Sequence, residues 1–225
     1  MSKRPSAATG AVGGGAAAVV DGEAVEHLRG ADPTLRELID RLGPLDPEAR
    51  RRGRPTDAYG ALLRSIVGQQ LSTKAARSIY ERVTALFDGR TPTPEQLLAA
   101  DPEVVRGAGL SRPKVRYMRD LAEHVLSGQL ELDRLDELSD ERITAELTAV
   151  KGLGQWTADM FLIFHLGRPD VLPVGDLGVR RAVEHAYGLP EIPSPEEVER
   201  LGERWRPHRS LASLYLWRSL DNQPA

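Results

Sequence analysis

Cysteine is absent from this chain of 225 residues. The absence excludes disulfides, thiolate nucleophiles, cysteine-ligated zinc and iron–sulfur clusters, and it is compatible with a reducing, intracellular compartment. No run of eighteen apolar residues occurs either, so we expect no membrane span. The first residues lack the apolar segment of a signal peptide, and residues 6–18 are mostly Ala and Gly. This composition predicts a disordered tail over residues 1–22.

Net charge is also small, at −3, which at first argues against a nucleic-acid partner. The distribution of charge is more informative than its sum. Residues 49–90 carry nine Arg or Lys against three acids, whereas residues 131–150 carry two against seven. The first segment is therefore suited to face phosphates and the second to face water. The alternative is that both are ordinary solvated helix faces.

Apolar residues recur at helical spacing through nearly the whole chain, and no long stretch alternates as a strand would. Proline and glycine separate the segments, and Ser72, Ser139 and Ser194 stand where N-caps are expected. The pattern predicts an all-α fold, with a short second tail at 221–225. The predicted helices are 33–42, 56–67, 72–87, 94–99, 102–106, 112–127, 140–149, 155–166, 177–187, 195–203 and 208–219.

The most distinctive segment is a glycine hairpin, residues 151–154, between two predicted helices. Gly152 and Gly154 permit positive φ and lack the Cβ atoms that would block an approaching backbone. The next helix starts near Gln155, so its free N–H groups form an anion site suited to a DNA phosphate. Lys151 adds a positive charge. Taken alone, the same pattern is also common as a purely structural turn.

A resemblance to a known family rests on four separated motifs in a fixed order. They are Ser65–Ser72, Gly109–Arg112, Gly152–Ala158 followed by a Gly/Pro-rich loop and Asp176, and Trp205–Ser210 leading to Trp217. Over residues 56–220 the chain resembles the helix-hairpin-helix (HhH-GPD) DNA glycosylase superfamily. In detail it is similar to the 3-methyladenine DNA glycosylase II (AlkA-type) branch.

The resemblance implies two helical lobes around a central cleft. One lobe would combine residues 23–55 with the C-terminal helices of about 176–220, and the other would span about 56–175 with the hairpin unit 140–166. A fainter Gly-x-Gly at Gly107 agrees with two lobes, or is an ordinary helix-ending turn. Only about fifty-five residues precede the shared core, so we expect the N-terminal antiparallel-sheet domain of the AlkA-type enzyme to be absent.

Asp176 lies twenty-two residues after Gly154 and is the candidate catalytic residue. Breaking an N-glycosidic bond builds positive charge on the sugar. A nearby carboxylate stabilises that charge and orients or deprotonates the attacking water. The resemblance gives Asp176 this role, and the alternative is an N-cap for helix 177–187.

Trp156 separates two kinds of enzyme within the superfamily. Members that also cut the DNA strand carry a lysine at this position as a Schiff-base nucleophile. An indole forms no imine, and Lys151 is not at that position. The resemblance therefore implies a monofunctional hydrolase that leaves an abasic site. The absence of cysteine also excludes the iron–sulfur loop of the endonuclease III branch.

A pocket for a flipped-out base is implied as well. Trp156 and Trp217 would line it, with Met160 one turn after Trp156 and Tyr59 as a wall from the other lobe. Indole faces favour a cationic, alkylated purine by about 0.5–2 kcal/mol per contact. Such a base leaves readily, so no second acid is needed beside Asp176. The alternative for Trp217 is a core position.

The turn at residues 68–71, here called the wedge turn, would fill the gap that the flipped base leaves. Its register points to Gln70, with Gln69 beside it, and the alternative is a polar connecting turn. The other expected DNA contacts lie in the hairpin and in the two following helices: Lys151, Gly152, Gly154, Gln155, Thr157, Arg180 and Arg181. No cofactor is required. By resemblance, a monovalent cation (Na⁺ or K⁺) would bind the main-chain carbonyls of Thr148, Val150 and Leu153.

The resulting hypothesis is a cytoplasmic, monomeric DNA glycosylase that acts on the chromosome. It would excise alkylated purines from double-stranded DNA, namely 3-methyladenine and 7-methylguanine, with ethenoadenine and hypoxanthine as further candidates. One alternative is a non-catalytic DNA-binding module that keeps the hairpin. Another is a bifunctional glycosylase/lyase, which Trp156 disfavours. Trp205, in the turn before the last helix, is expected to be structural.

Overall fold

The computed structural model describes residues 22–46 and 55–221. Within these ranges it contains helices and no β-strand, which confirms the all-α prediction. In chain order the helices are α1 Gly22–Ala31, α2 Pro33–Leu42, α3 Ala58–Gly68, α4 Thr73–Ala85, α5 Pro94–Ala99, α6 Pro102–Gly107, α7 Arg112–Leu126, α8 Asp140–Ala149, α9 Gln155–Phe161, α10 Leu177–Tyr187, α11 Pro195–Gly202 and α12 Arg209–Asp221. Short 3₁₀ segments cover Leu132–Glu137 and Glu203–Trp205, and a π-helical turn, Leu162–Leu166, continues α9.

The predicted start signals act as helix caps. The Ser72 hydroxyl accepts the N–H of Ala75 at 3.3 Å, and Ser139 caps α8 in the same way. Ser194 and Glu197 form a reciprocal capping box at α11. These local bonds explain why the helix boundaries follow the sequence pattern closely.

Helix α1 was not among the predicted helices. It buries only Ala24 and Leu28, which is too few positions to reveal a helical period. Its neighbour α2 and the last helix supply the packing that stabilises it. The predicted tails fall outside the described residues except at Gly22 and Asp221, which belong to α1 and α12. None of the helices in the described ranges combines the length and apolar character needed to cross a membrane.

Buried apolar side chains form two clusters in the described residues. The first cluster is drawn from residues 59–171, and the second combines residues 28–39 with residues 172–216. Each fully buried Leu or Ile in them contributes about 1.5–3 kcal/mol to stability. Trp217 packs against both clusters, so α12 lies where they meet. The lobe boundary at 175/176 stays a prediction.

The second cluster is organised around a buried carboxylate. Asp32 is 1% exposed and caps α2 by accepting the N–H groups of Thr34 and Leu35. It also accepts the Tyr187 hydroxyl and the Trp205 indole N–H. Trp205 itself is fully buried, which confirms its expected structural role.

The loop 167–175, which leads to Asp176, is fastened to the start of α12. The Asp170 carboxylate accepts from the guanidinium groups of Arg206 and Arg209. Ser210 accepts the N–H of Val171 at 2.9 Å and donates its hydroxyl proton to the Arg168 carbonyl at 2.7 Å. These bonds fix the loop against the helix that carries Trp217.

Candidate active site

The Asp176 carboxylate accepts three hydrogen bonds. Its Oδ1 receives the N–H of Val179 at 2.8 Å, which caps α10, and the indole N–H of Trp217 at 2.8 Å. Its Oδ2 receives the indole N–H of Trp156 at 2.7 Å. The predicted acid and both predicted tryptophans therefore meet in one place. The alternative role of Asp176 as an N-cap is also observed. The same carboxylate caps α10 and accepts the indole N–H groups of both tryptophans.

Trp217 reaches Asp176 because two neighbours leave room for it and support it. Its indole ring stacks on Phe164, with the ring centroids 5.6 Å apart. Gly178 lies on the other side, where a Cβ atom would be 2.9 Å from Asp176 Oδ1 and 3.2 Å from Trp217 Nε1. Gly178 is a site residue that the sequence reasoning missed, although its position two residues after the acid was visible.

Trp156 is the second residue of α9 and is 47% exposed. Its indole N–H is fixed on Asp176, while much of the ring remains open to solvent. Met160, one turn later, is half-buried against the first cluster. An exposed aromatic ring beside a carboxylate has the character of a binding surface rather than of a core position.

The helix that carries Trp156 widens into a π-helical turn at Leu162–Leu166. The sequence pattern predicted one α-helix to residue 166, because a single wider turn does not change the apolar spacing visibly. This turn contains Phe164, the ring that supports Trp217. Turns of this kind often occur at functional sites.

Asp159 is a further carboxylate that the sequence analysis did not single out. It is 7% exposed, and its Oδ1 accepts the amide N–H of Gln155 at 2.8 Å. Burial, with a smaller contribution from the negative charge of Asp176, raises the pKa of Asp159 to about 6. Desolvation depends on the folded surroundings, so the sequence offered no signal for this shift.

The raised pKa predicts a pH-dependent stability. The folded protein holds the Asp159 proton up to about pH 6, whereas the unfolded chain releases it near pH 4. The contribution of Asp159 to the free energy of unfolding is therefore lost as pH rises between these values. The free energy of unfolding of Asp159→Asn, measured relative to that of the wild type, should rise by about 1–3 kcal/mol between pH 4 and pH 8. Urea denaturation across this range measures the difference, and a difference independent of pH would contradict it.

Tyr59 lies in the hydrophobic core. It is 9% exposed within the first cluster, and its hydroxyl lacks a hydrogen-bond partner among the described residues. Burial, followed by the charges of Glu95 and Asp57, raises its pKa. These neighbours do not include Asp176. The ring is buried in the cluster against which Met160 and Trp217 also pack, and its role as a wall of the base pocket stays a prediction.

The two glycines of the hairpin differ in backbone conformation and in the space around them. Gly152 has a φ of +85°, and a Cβ atom there would overlap the ring of Tyr117. Gly154 has a φ of −107°, which any residue adopts, and a Cβ atom there would meet nothing within 4 Å. The fold therefore requires glycine at 152, whereas the open space at 154 is on the outer side of the turn.

Helix α9 begins without a side-chain cap, whereas α2 to α8, α10 and α11 each have one. The N–H of Thr157 donates to the Gly154 carbonyl at 2.9 Å, which leaves the N–H groups of Gln155 and Trp156 for an external acceptor. The missing cap at α9 is what an anion site at this helix start requires.

Three of the predicted DNA-contacting side chains have partners within the protein or are buried, although the Lys151 side chain is also 79% exposed. Lys151 donates its ammonium to Asp120 Oδ1 at 2.9 Å, so part of its charge is compensated. Thr157 is 4% exposed, because it faces the core one residue after Trp156. The Arg180 Nε donates to the Pro193 carbonyl at 2.7 Å. Burial argues against a DNA contact by the Thr157 side chain, whereas the contacts of Lys151 and Arg180 stay predictions; Arg181 is exposed.

The wedge turn contacts the glycine hairpin and has an unusual backbone. Gln70 is exposed and has a φ of +59°, which is rare for a residue with a side chain. Gln69 lies beside it, and its amide donates to the Gly152 carbonyl at 2.6 Å. The wedge turn and the glycine hairpin, 83 residues apart in sequence, are therefore in direct contact.

Comparisons with known proteins show which family the chain belongs to. The model of the HhH-GPD superfamily base excision DNA repair protein matches residues 63–207. DNA-3-methyladenine glycosylase 1 of Schizosaccharomyces pombe is 35% identical over 195 residues, covering 86% of this chain and 85% of that protein. The structure of the S. pombe 3-methyladenine DNA glycosylase in complex with abasic DNA superimposes with a TM-score of 0.80 at 34% identity, covering 88% of this chain and 97% of the other.

A second solved structure, a DNA-3-methyladenine glycosidase of Bacillus halodurans, gives a TM-score of 0.80 at 38% identity and covers 90% of this chain and 91% of its own. Both structures are helical neighbours over nearly the whole described chain. The chain therefore belongs to the HhH-GPD superfamily of base excision DNA repair proteins, and within it to the branch of the 3-methyladenine DNA glycosylases.

Proposed function

We propose that this DNA glycosylase flips alkylated purines out of duplex DNA and hydrolyses their N-glycosidic bonds. The observation that carries the proposal is the Asp176 carboxylate, held between the indole N–H groups of Trp156 and Trp217. As the bond between C1′ and the base nitrogen breaks, its electron pair leaves with the base and the sugar becomes positive. Asp176 stabilises that charge and takes up the proton that water loses as its oxygen bonds to C1′.

Alkylated purines are the proposed substrate class because of the exposed indole. A base methylated at N3 or N7 is cationic, and the ring of Trp156 is 47% exposed at the site. Contact with an indole face favours a cation by about 0.5–2 kcal/mol. A cationic base is also a good leaving group, so the site needs no acid to protonate it.

Hydrolysis without strand cleavage is the proposed outcome. Trp156 occupies the position at which strand-cutting relatives carry their lysine. Two nearby lysines are also engaged elsewhere: Lys151 is bound to Asp120, and Lys114 is bound to the main-chain carbonyls of Val67 and Gln69. Neither is placed as a free amine that would form an imine.

Double-stranded DNA is the proposed partner. A structural neighbour was solved with abasic DNA, and the uncapped start of α9 offers N–H groups to a phosphate. We also propose that the main-chain carbonyls of Thr148, Val150 and Leu153 hold a monovalent cation, since neutral carbonyl oxygens suit such ions. A bound cation would offset part of the phosphate charge. We further propose that the protein is a cytoplasmic monomer that acts on chromosomal DNA.

The test is release of bases from methylated DNA by the wild-type protein, with ethenoadenine and hypoxanthine substrates assayed in parallel. We expect free 3-methyladenine and 7-methylguanine, with intact strands that break only on alkaline treatment. DNA binding without base release would support the non-catalytic module. A covalent complex trapped by borohydride would instead support the bifunctional lyase.

The two hairpin glycines should respond differently to alanine. Gly152→Ala should lower the free energy of unfolding by about 2–4 kcal/mol, because of its positive φ and the overlap with Tyr117. Gly154→Ala should change stability by less than about 1 kcal/mol but weaken DNA binding by about tenfold, since its Cβ would face the phosphate. Urea denaturation and fluorescence anisotropy with an abasic duplex measure the two effects. Unchanged affinity of Gly154→Ala would refute the close approach of DNA.

A further inference from the structure

One face of α7 supports both turns that meet at the site. Lys114, Tyr117 and Asp120 are spaced three residues apart, so they follow one another along the helix surface. The Lys114 ammonium donates to the main-chain carbonyls of Val67 at 2.8 Å and Gln69 at 2.7 Å. These carbonyls lie at the end of α3, where intrahelical partners are missing.

The next two side chains of this face contact the glycine hairpin. The Tyr117 ring occupies the space that a Cβ atom of Gly152 would need. Asp120 is 8% exposed; it accepts the main-chain N–H of Lys151 at 2.8 Å and the Lys151 ammonium at 2.9 Å. The hairpin is therefore anchored on the same helix as the wedge turn.

A third bond connects the two turns directly, from the Gln69 amide to the Gly152 carbonyl. Gln70, the next residue, has a φ of +59°, a conformation that costs about 1–2 kcal/mol for a residue other than glycine. The bonds to the Val67 and Gln69 carbonyls immediately precede it and offset that cost. Lys114 is thus bonded to the backbone segment that determines the direction of the Gln70 side chain.

We propose that Lys114 is a positioning residue that, together with Gln69, sets how the Gln70 side chain enters the gap left by the flipped base. A phosphate bound at the hairpin then fixes the wedge turn relative to the lesion. The inference rests on the proposed function, because only a protein that extrudes a base needs such a wedge.

The experiment compares single-turnover excision by wild type, Lys114→Met and Lys114→Arg on two duplexes. One has the lesion in a normal pair, and the other has it opposite an abasic-site analogue, where flipping costs little. Lys114→Met should slow excision about tenfold on the paired duplex and less than about twofold on the unpaired one. Lys114→Arg should restore most of the rate. Arg116→Met, about 200° around the same helix, is the charge-matched control.

Gln69→Leu provides a second variant, on a partly exposed side chain whose loss leaves the core intact. It should show the same preference for the unpaired duplex. The double variant, with both Lys114→Met and Gln69→Leu, should be at most about twofold slower than Lys114→Met alone. Both substitutions break the same connection between the wedge turn and its supports, so their effects should not multiply. Equal slowing on both duplexes, or fully multiplicative effects, would overturn the inference. Failure of the wild type to excise from either duplex would overturn the proposed function instead.

Discussion

Asp176→Asn should reduce base excision from methylated DNA by about 10²–10³-fold while leaving the free energy of unfolding nearly unchanged. The substitution removes the negative charge that faces the developing positive charge on the sugar. It keeps the shape of the side chain and an oxygen that accepts the N–H of Val179, whereas the amide group that replaces Oδ2 no longer accepts the indole N–H of Trp156; that bond is exposed, so its loss costs little stability. Asn is as good an N-cap as Asp, so α10 should retain its start. Single-turnover excision and urea denaturation give the two quantities.

A matched control exists at another helix start. Asp101 caps α6 by accepting the N–H of Glu103 at 2.8 Å. Asp101→Asn makes the same chemical change at a cap that is not part of the site, and it should excise bases at the wild-type rate. If Asp176→Asn excised bases as fast as Asp101→Asn, Asp176 would be a cap alone and the proposed chemistry would be wrong.

The second large effect on base excision is expected when one methyl group is added at Gly178. Gly178→Ala should slow excision by about 10–100-fold, because its Cβ would lie 2.9 Å from Asp176 Oδ1 and 3.2 Å from Trp217 Nε1. The carboxylate and the indole would have to move apart, and displacements of this kind cost a factor of about 10² in rate. Helix propensity acts in the opposite direction, since Ala in a helix is more stable than Gly by about 0.5–1 kcal/mol. Activity should therefore fall without a parallel loss of stability.

Gly30→Ala is the control for this substitution. Gly30 is also helical, and a Cβ atom there would meet nothing within 4 Å. We expect this variant to gain up to about 1 kcal/mol in stability and to keep its activity. Activity of Gly178→Ala at the level of Gly30→Ala would show that the bond between Asp176 and Trp217 is dispensable.

Local signals made most of the fold predictable. Helices α4, α8 and α11 begin at serines whose caps depend on residues three positions away, so a short window of sequence contains the information. Helix α1 was missed because it depends on packing against distant helices rather than on its own pattern. The π-helical turn was missed because it preserves the apolar spacing.

The site was predictable where a motif fixed it and not where distant contacts did. Trp156, Asp176 and Trp217 were found through a resemblance, and their hydrogen bonds span 20 and 41 residues. No pattern indicated that Lys151 would bind Asp120, 31 residues away, or that Arg180 would turn toward Pro193. The raised pKa of Asp159 likewise arises from burial, which a sequence does not display.

All three tryptophans of the chain donate their indole N–H to a carboxylate, Trp156 and Trp217 to Asp176 and Trp205 to Asp32. The molecule thus contains its own optical probes. Trp205 reports on the buried interior, and the other two report on the surroundings of Asp176. Replacing Trp205 by Phe would leave tryptophan emission that comes from Trp156 and Trp217 alone, so binding of a base beside Asp176 could be followed without attaching a dye.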